Sequence, residues 1–122
     1  MIKFVMNLTR HPSMSRAEFK AYWEQQHAPL FLKNAATLGA RKYIQSLTID
    51  SPMNQGLRES KGLQAEFDGV AEVWFDSEQA FMESMSSEEG QQIIAALQAD
   101  ENNFIDHAKS AAYLVEEQTL LS

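Results

Sequence analysis

The 122-residue chain contains no cysteine. That absence excludes disulfides, thiolate metal sites, iron–sulfur clusters and cysteine nucleophiles. Basic residues are scarce. Ten Lys and Arg stand against seventeen Asp and Glu, giving a net charge of -7. Nucleic-acid binding needs a basic face that displaces counterions, so no nucleic-acid partner is expected. A membrane-surface helix would gather its Lys and Arg on one face, and none does. No apolar run approaches the length of a membrane span. The first residues, MIKFVMNLT, lack an apolar segment long enough for a signal peptide, so the expected location is the cytoplasm. There is no G-x-G-x-x-G, no P-loop and no G-x-S-x-G elbow, so neither a nucleotide cofactor nor a serine nucleophile is indicated. What remains is one soluble-type domain spanning residues 1–122, with 44% hydrophobic residues, enough for one core.

Within that domain, Ser15 to Leu30 carries the strongest pattern. Ser15 and Glu18 fit a capping box at a helix start. Stepping 100° per residue from Phe19, Leu30 falls at about 20°, Trp23 at about 40° and His27 at about 80°. An imidazole therefore sits at the edge of the apolar stripe, where it needs a partner and where its charge changes most readily near neutral pH. Pro29 removes a backbone donor and disfavours α geometry before it, which predicts a kink or break at His27–Ala28. A second helical segment then runs from Pro29 to Leu38 and stops at Gly39.

The rest alternates. Ile2 to Thr9, Arg41 to Ile49, Gly69 to Phe75 and Ala111 to Leu121 read as strands. Ser77 to Met85 and Glu88 to Ile105 read as helical. Asp50 to Glu66 reads as a long loop of the kind that serves as a lid. The order β-α-β-β-α-β predicts the α+β, ferredoxin-like arrangement: a four-stranded antiparallel sheet with helices on one face. The first strand is apolar on both sides, so the open face needs a cover. The simplest cover is a second copy, making a homodimer.

The candidate residues each carry two readings. His27 is a general acid or base in a pocket between helix and sheet, or a clip that holds the kinked helix. Glu72 pairs with His27 as a second acid–base group, or across the sheet with a basic residue such as Lys42. Trp23, Tyr43 and Trp74 are ligand-stacking residues, or core for Trp23 and dimer interface for the other two. Asn7 is a pocket donor or a satisfied interior amide. Asp106 and His107 are adjacent and cannot converge on one ion, so no metal is expected.

Three stretches resemble the EthD family. The first is Arg10 to Phe19 with Tyr22-Trp23 and His27-Ala-Pro-Leu30. The second is Asp68-Gly-Val-Ala-Glu72-Val-Trp74-Phe75-Asp76-Ser77. The third is Asp100 to Ile105 with Glu116-Glu117. The resemblance implies a dimeric α+β barrel, two ferredoxin-like sheets face to face, and a histidine of the first helix lining the pocket. It does not fix a reaction, since that superfamily holds isomerases, quinone-forming monooxygenases, cyclases and haem-degrading enzymes. The leading expectation is a cofactor-independent acid–base enzyme acting on a small hydrophobic or aromatic metabolite, by isomerisation, dehydration, cyclisation or addition of O₂. The alternatives are a non-catalytic ligand carrier or accessory dimer, and a haem-binding protein. A hemin titration without a Soret shift removes the last.

Overall fold

A computed structural model describes all 122 residues. Strands β1 (Ile2–Leu8), β2 (Lys42–Leu47), β3 (Gly69–Phe75) and β4 (Ala111–Val115) form one sheet in the order β2-β3-β1-β4. Every neighbouring pair is antiparallel. Helices α1 (Arg16–Tyr22), α2 (Ala28–Leu38), α4 (Glu78–Ser86) and α5 (Glu88–Glu101) supply its cover, and α3 (Pro52–Lys61) lies between β2 and β3. The ferredoxin-like α+β architecture expected from the sequence is present. No helix is long and apolar enough to cross a membrane.

Strand alternation decides what each face holds. In β3, Ala71, Val73 and Phe75 are buried while Val70, Glu72 and Trp74 are only partly so. Phe4 pairs with Val73, and Met6 with Ala71, so these residues share the helix-covered face. One core cluster joins Leu8, Phe19, Trp23, Ala71, Phe104 and Ile105. A second joins Phe31, Leu38, Val73, Phe75, Ile93 and Leu97.

The six-membered ring of Trp23 lies against Gly69 at the start of β3. A methyl group at Gly69 would stand 2.7 Å from Trp23 Cζ3 and 3.1 Å from the Ser46 carbonyl oxygen. Neither neighbour can yield, since one is a ladder carbonyl and the other a fully packed indole. The expected cost of Gly69→Ala is about 1–3 kcal/mol of stability, read as a lower urea midpoint at unchanged slope.

Of the kink or break expected at His27–Ala28, the break does not occur. The helix continues through a π turn, Trp23–His27, and α2 begins at Ala28, with His27 and Ala28 both in right-handed helical geometry. The Ala28 N–H reaches back five residues to the Trp23 carbonyl. A wide turn takes in the proline without breaking the chain's course. Ser15 caps α1 with the expected reciprocal box, and Gly39 ends α2 at φ 76°.

Two further expectations are corrected. Residues 50–66 are not a structureless loop, because Pro52–Lys61 is helical. Ser51 caps it by accepting from the Met53 N–H, and Gly62 ends it at φ 63°. The last strand stops at Val115, well short of Leu121.

Candidate active site

Between the helices and the sheet lies a cavity of about 950 Å³. Its walls are mostly apolar, among them Phe4, Phe31 and Val73, with a few polar groups: His27, Gln98, Glu101, Asn102 and His107. A mostly apolar cavity with few convergent polar groups is the usual form of a small-molecule site.

His27 is the most buried of the polar groups, at 7% exposure. Its Nδ1 lies 2.7 Å from Asp100 Oδ2. The Tyr22 hydroxyl donates to Asp100 Oδ1 at 2.6 Å. Asp100 sits in the last turn of α5, where the helix dipole disfavours a carboxylate. It is held there by donors from another helix. Burial pushes the Asp100 carboxyl up, but the hydrogen bonds from Tyr22 and His27, with the attraction of His27, outweigh it and leave its pKa below the usual value. The bond to Asp100 and burial together raise the pKa of Tyr22.

The π turn makes this convergence possible. Tyr22 and His27 are five residues apart, which on an ideal α-helix is about 140° of rotation. A turn closed by i→i+5 bonds returns them to one side, so both reach the same carboxylate. The turn also presents the Trp23 carbonyl, which accepts from Gln45 Nε2 at 3.2 Å. Gln45 donates to the Tyr43 hydroxyl at 2.8 Å as well.

With Nδ1 engaged by a carboxylate, the neutral imidazole carries its proton on Nδ1 and leaves Nε2 as the acceptor. Nε2 makes no hydrogen bond within the chain. No buried side-chain nitrogen or oxygen is without a partner, so Nε2 is not sealed in. His27 is itself one of the residues that line the cavity. A second pair stands on the same wall, with His107 Nε2 3.0 Å from Glu101 Oε1.

The depressed Asp100 pKa has a pH consequence. The carboxylate contributes stability that is present above the ordinary carboxylate range and is lost as pH falls through its lower folded value. The stability difference between wild type and Asp100→Asn should be full above about pH 5 and shrink toward zero in stronger acid. Paired denaturant titrations across that range measure it. A difference that grows on acidification would contradict this sign.

The sequence-derived candidates divide between the two sides of the sheet. His27, Trp23 and Tyr43 line the cavity. Trp23 is 1% exposed and packs on Phe19 at 5.5 Å between ring centres, which makes it core as well as wall. Tyr43 packs on Phe31 at 4.6 Å, and burial raises its pKa. Glu72 faces the other way. It takes a hydrogen bond from Lys3 on the neighbouring strand β1 at 2.6 Å. It therefore forms no dyad with His27 but the cross-sheet pair with a basic residue, the residue being Lys3 rather than Lys42. Trp74 shares that face, with the Lys42 and Lys3 ammonium groups 4.8 and 5.2 Å from its ring and its indole N–H donated to Glu117. Asn7 is there too, donating to the Tyr113 hydroxyl at 2.9 Å. The carboxylate that serves His27 is Asp100, which the sequence reading placed only inside a matching motif.

A family model described as EthD domain matches residues 11–108. The chain belongs to the EthD family. Among solved structures, this EthD chain is similar to an ethyl tert-butyl ether D (EthD) family protein from Bacillus halodurans C-125. They share 23% identity over 97% of this chain and 99% of that one, with a TM-score of 0.64. SnoaB from Streptomyces nogalater, a cofactor-independent oxygenase, is 18% identical over 99% and 97% of the two chains, at TM-score 0.54. A dimeric protein of ferredoxin-like fold from Bacteroides fragilis NCTC 9343 is 11% identical over 95% of each chain, at TM-score 0.60. At these identities the likeness concerns the fold. No curated protein matches the sequence. The matched stretch contains both members of the His27–Asp100 pair and all of α3.

Proposed function

We propose that this EthD chain is a cofactor-independent acid–base enzyme that takes a proton from a small hydrophobic or aromatic molecule at His27 Nε2. The observation that carries the reading is the setting of His27: Nδ1 held by Asp100, Nε2 unbonded and not sealed in, on a residue that lines an apolar cavity. Asp100 is the positioning residue. It selects the tautomer and stabilises the imidazolium formed when the proton arrives. Gln98 and Asn102, exposed residues at the cavity's edge, are the side-chain amides available to the oxygen on which negative charge would collect. The apolar walls keep water from competing for the carbanion or phenolate. Such an anion can return its proton elsewhere, which is isomerisation. It can also expel a hydroxide, close a ring, or give electrons to O₂. In the last case the substrate supplies every electron, with no bound redox group. SnoaB's description as a cofactor-independent oxygenase favours that branch.

The active unit in this reading is a homodimer joined through the open sheet face. Val5 on that face is buried even without a cover, and Ile44 and Val70 are half-buried. Sedimentation at micromolar concentration should give twice the chain mass, and a stable monomer would contradict it.

The enzymatic reading is tested by solvent exchange. Enolisable phenols and aromatic ketones are incubated with the protein in D₂O, beginning with any compound that native mass spectrometry finds co-purifying. The expected result is His27-dependent deuterium uptake at the acidic carbon of at least one bound compound. Tight binding of the co-purifying compound without exchange or conversion would make the protein a carrier.

A further inference from the structure

Helix α3 is amphipathic with its apolar side turned outward. From Met53, Leu57 lies at about 40°, Arg58 at about 140° and Gln55 at about 200° around the helix. Gln55 and Arg58 line a polar groove with Arg10 and Arg16, so that side faces the chain's own body. The opposite side leaves Met53 75% and Leu57 54% exposed, and no residue of α3 is buried. Ile49 and Leu63, just beyond its ends, are 70% and 55% exposed. A helix normally buries its apolar stripe against its own core, and a contiguous exposed stripe marks a binding surface.

The chain carries a second apolar segment with nothing on it. Leu120 and Leu121 follow β4 and are 85% and 95% exposed. They cannot cover α3 of the same chain. Glu117 accepts the Trp74 indole N–H, which pins the tail at the end of the sheet where β1 begins. Trp74 pairs with Lys42, and α3 departs beyond Leu47 at the other end of β2. The five residue-to-residue steps from Lys42 to Leu47 span roughly 17 Å, and α3 lies farther on. The four steps from Glu117 to Leu121 reach about 14 Å at full extension.

We infer that the C-terminal segment around Leu120–Leu121 docks on the Met53–Leu57 stripe of α3 in a second copy of this chain. A face-to-face two-fold that exchanges the two ends of the sheet brings each tail to the α3 end of its partner, and symmetry makes the contact twice. The charges agree: Lys61 lies beside the stripe at about 80° from Met53, and Glu116 precedes the leucines in the tail. This inference rests on the face-to-face homodimer proposed above. It assigns α3 the role of an intersubunit clasp.

The absence of native cysteine makes the test clean. Full-length Leu57→Cys protein is mixed with full-length Leu121→Cys protein and oxidised. Leu121→Cys mixed with Lys20→Cys, on exposed α1, is the control. Docking predicts covalent heterodimer on the order of a hundredfold faster in the first mixture, because the docked thiols share a millimolar-range effective concentration. A dimer by sedimentation that cross-links no faster than the control overturns the clasp and leaves the dimer standing. A monomer by sedimentation overturns both. An intramolecular loop in the chain carrying both substitutions also overturns the clasp.

Discussion

Replacing His27 by glutamine should lower substrate proton exchange by about 10²- to 10⁴-fold, the usual contribution of a positioned general base. Glutamine is the informative choice. Its amide can still donate to Asp100, so the half-buried carboxylate keeps a partner and the fold survives. What it lacks is a basic nitrogen on the cavity side. Asp100→Asn tests the same assembly from behind. An asparagine can bond the imidazole at Nδ1 as a donor and so stabilise the tautomer with the proton on Nε2, where it cannot accept. Its rate should fall through kcat more than through KM, since Asp100 touches His27 and Tyr22 rather than the cavity's occupant. If both variants fold and exchange at the wild-type rate, His27 is a structural clip and not a base.

Trp23→Ala should be the most destabilising single change, at about 3–5 kcal/mol. The indole is 1% exposed and belongs to the cluster that joins α1 to the sheet. It fills the space that Gly69 leaves open. Its removal would extend the existing cavity inward and free the π turn that holds Tyr22 and His27 together. A fall in melting temperature of roughly ten degrees or more is expected for a domain of this size. Trp23→Phe should recover much of the stability, because a smaller ring still covers the Gly69 backbone. A loss of under 1 kcal/mol in the alanine variant would show that the indole is mainly a ligand platform.

The fold was legible because local and global signals agree in this chain. The capping box at Ser15, the C-terminal Gly39 and the β-rich stretches all specify the elements that form. Residues 50–66 misled because Gly56 and a polar composition argue against a helix. The Ser-Pro start and the Gly62 end were nonetheless there to read. Glu72 had two readings, and the strand pattern separates them. Ala71, Val73 and Phe75 form the apolar set that the helices cover, so Glu72 and Trp74 share the opposite face, away from His27, where Glu72 pairs with Lys3 across the sheet. Asp100 was beyond reach of the pattern. On a regular helix Tyr22 and His27 diverge, and only the wide turn forced near Pro29 brings them to one carboxylate.

The His27 tautomer bears most directly on the site. Long-range ¹⁵N–¹H NMR at mildly alkaline pH distinguishes a protonated ring nitrogen from a bare one. The expected spectrum shows His27 with its proton on Nδ1 and an unprotonated Nε2, and the pattern reversed in Asp100→Asn. A wild-type His27 with its proton on Nε2 would leave no base facing the cavity and would contradict the assignment.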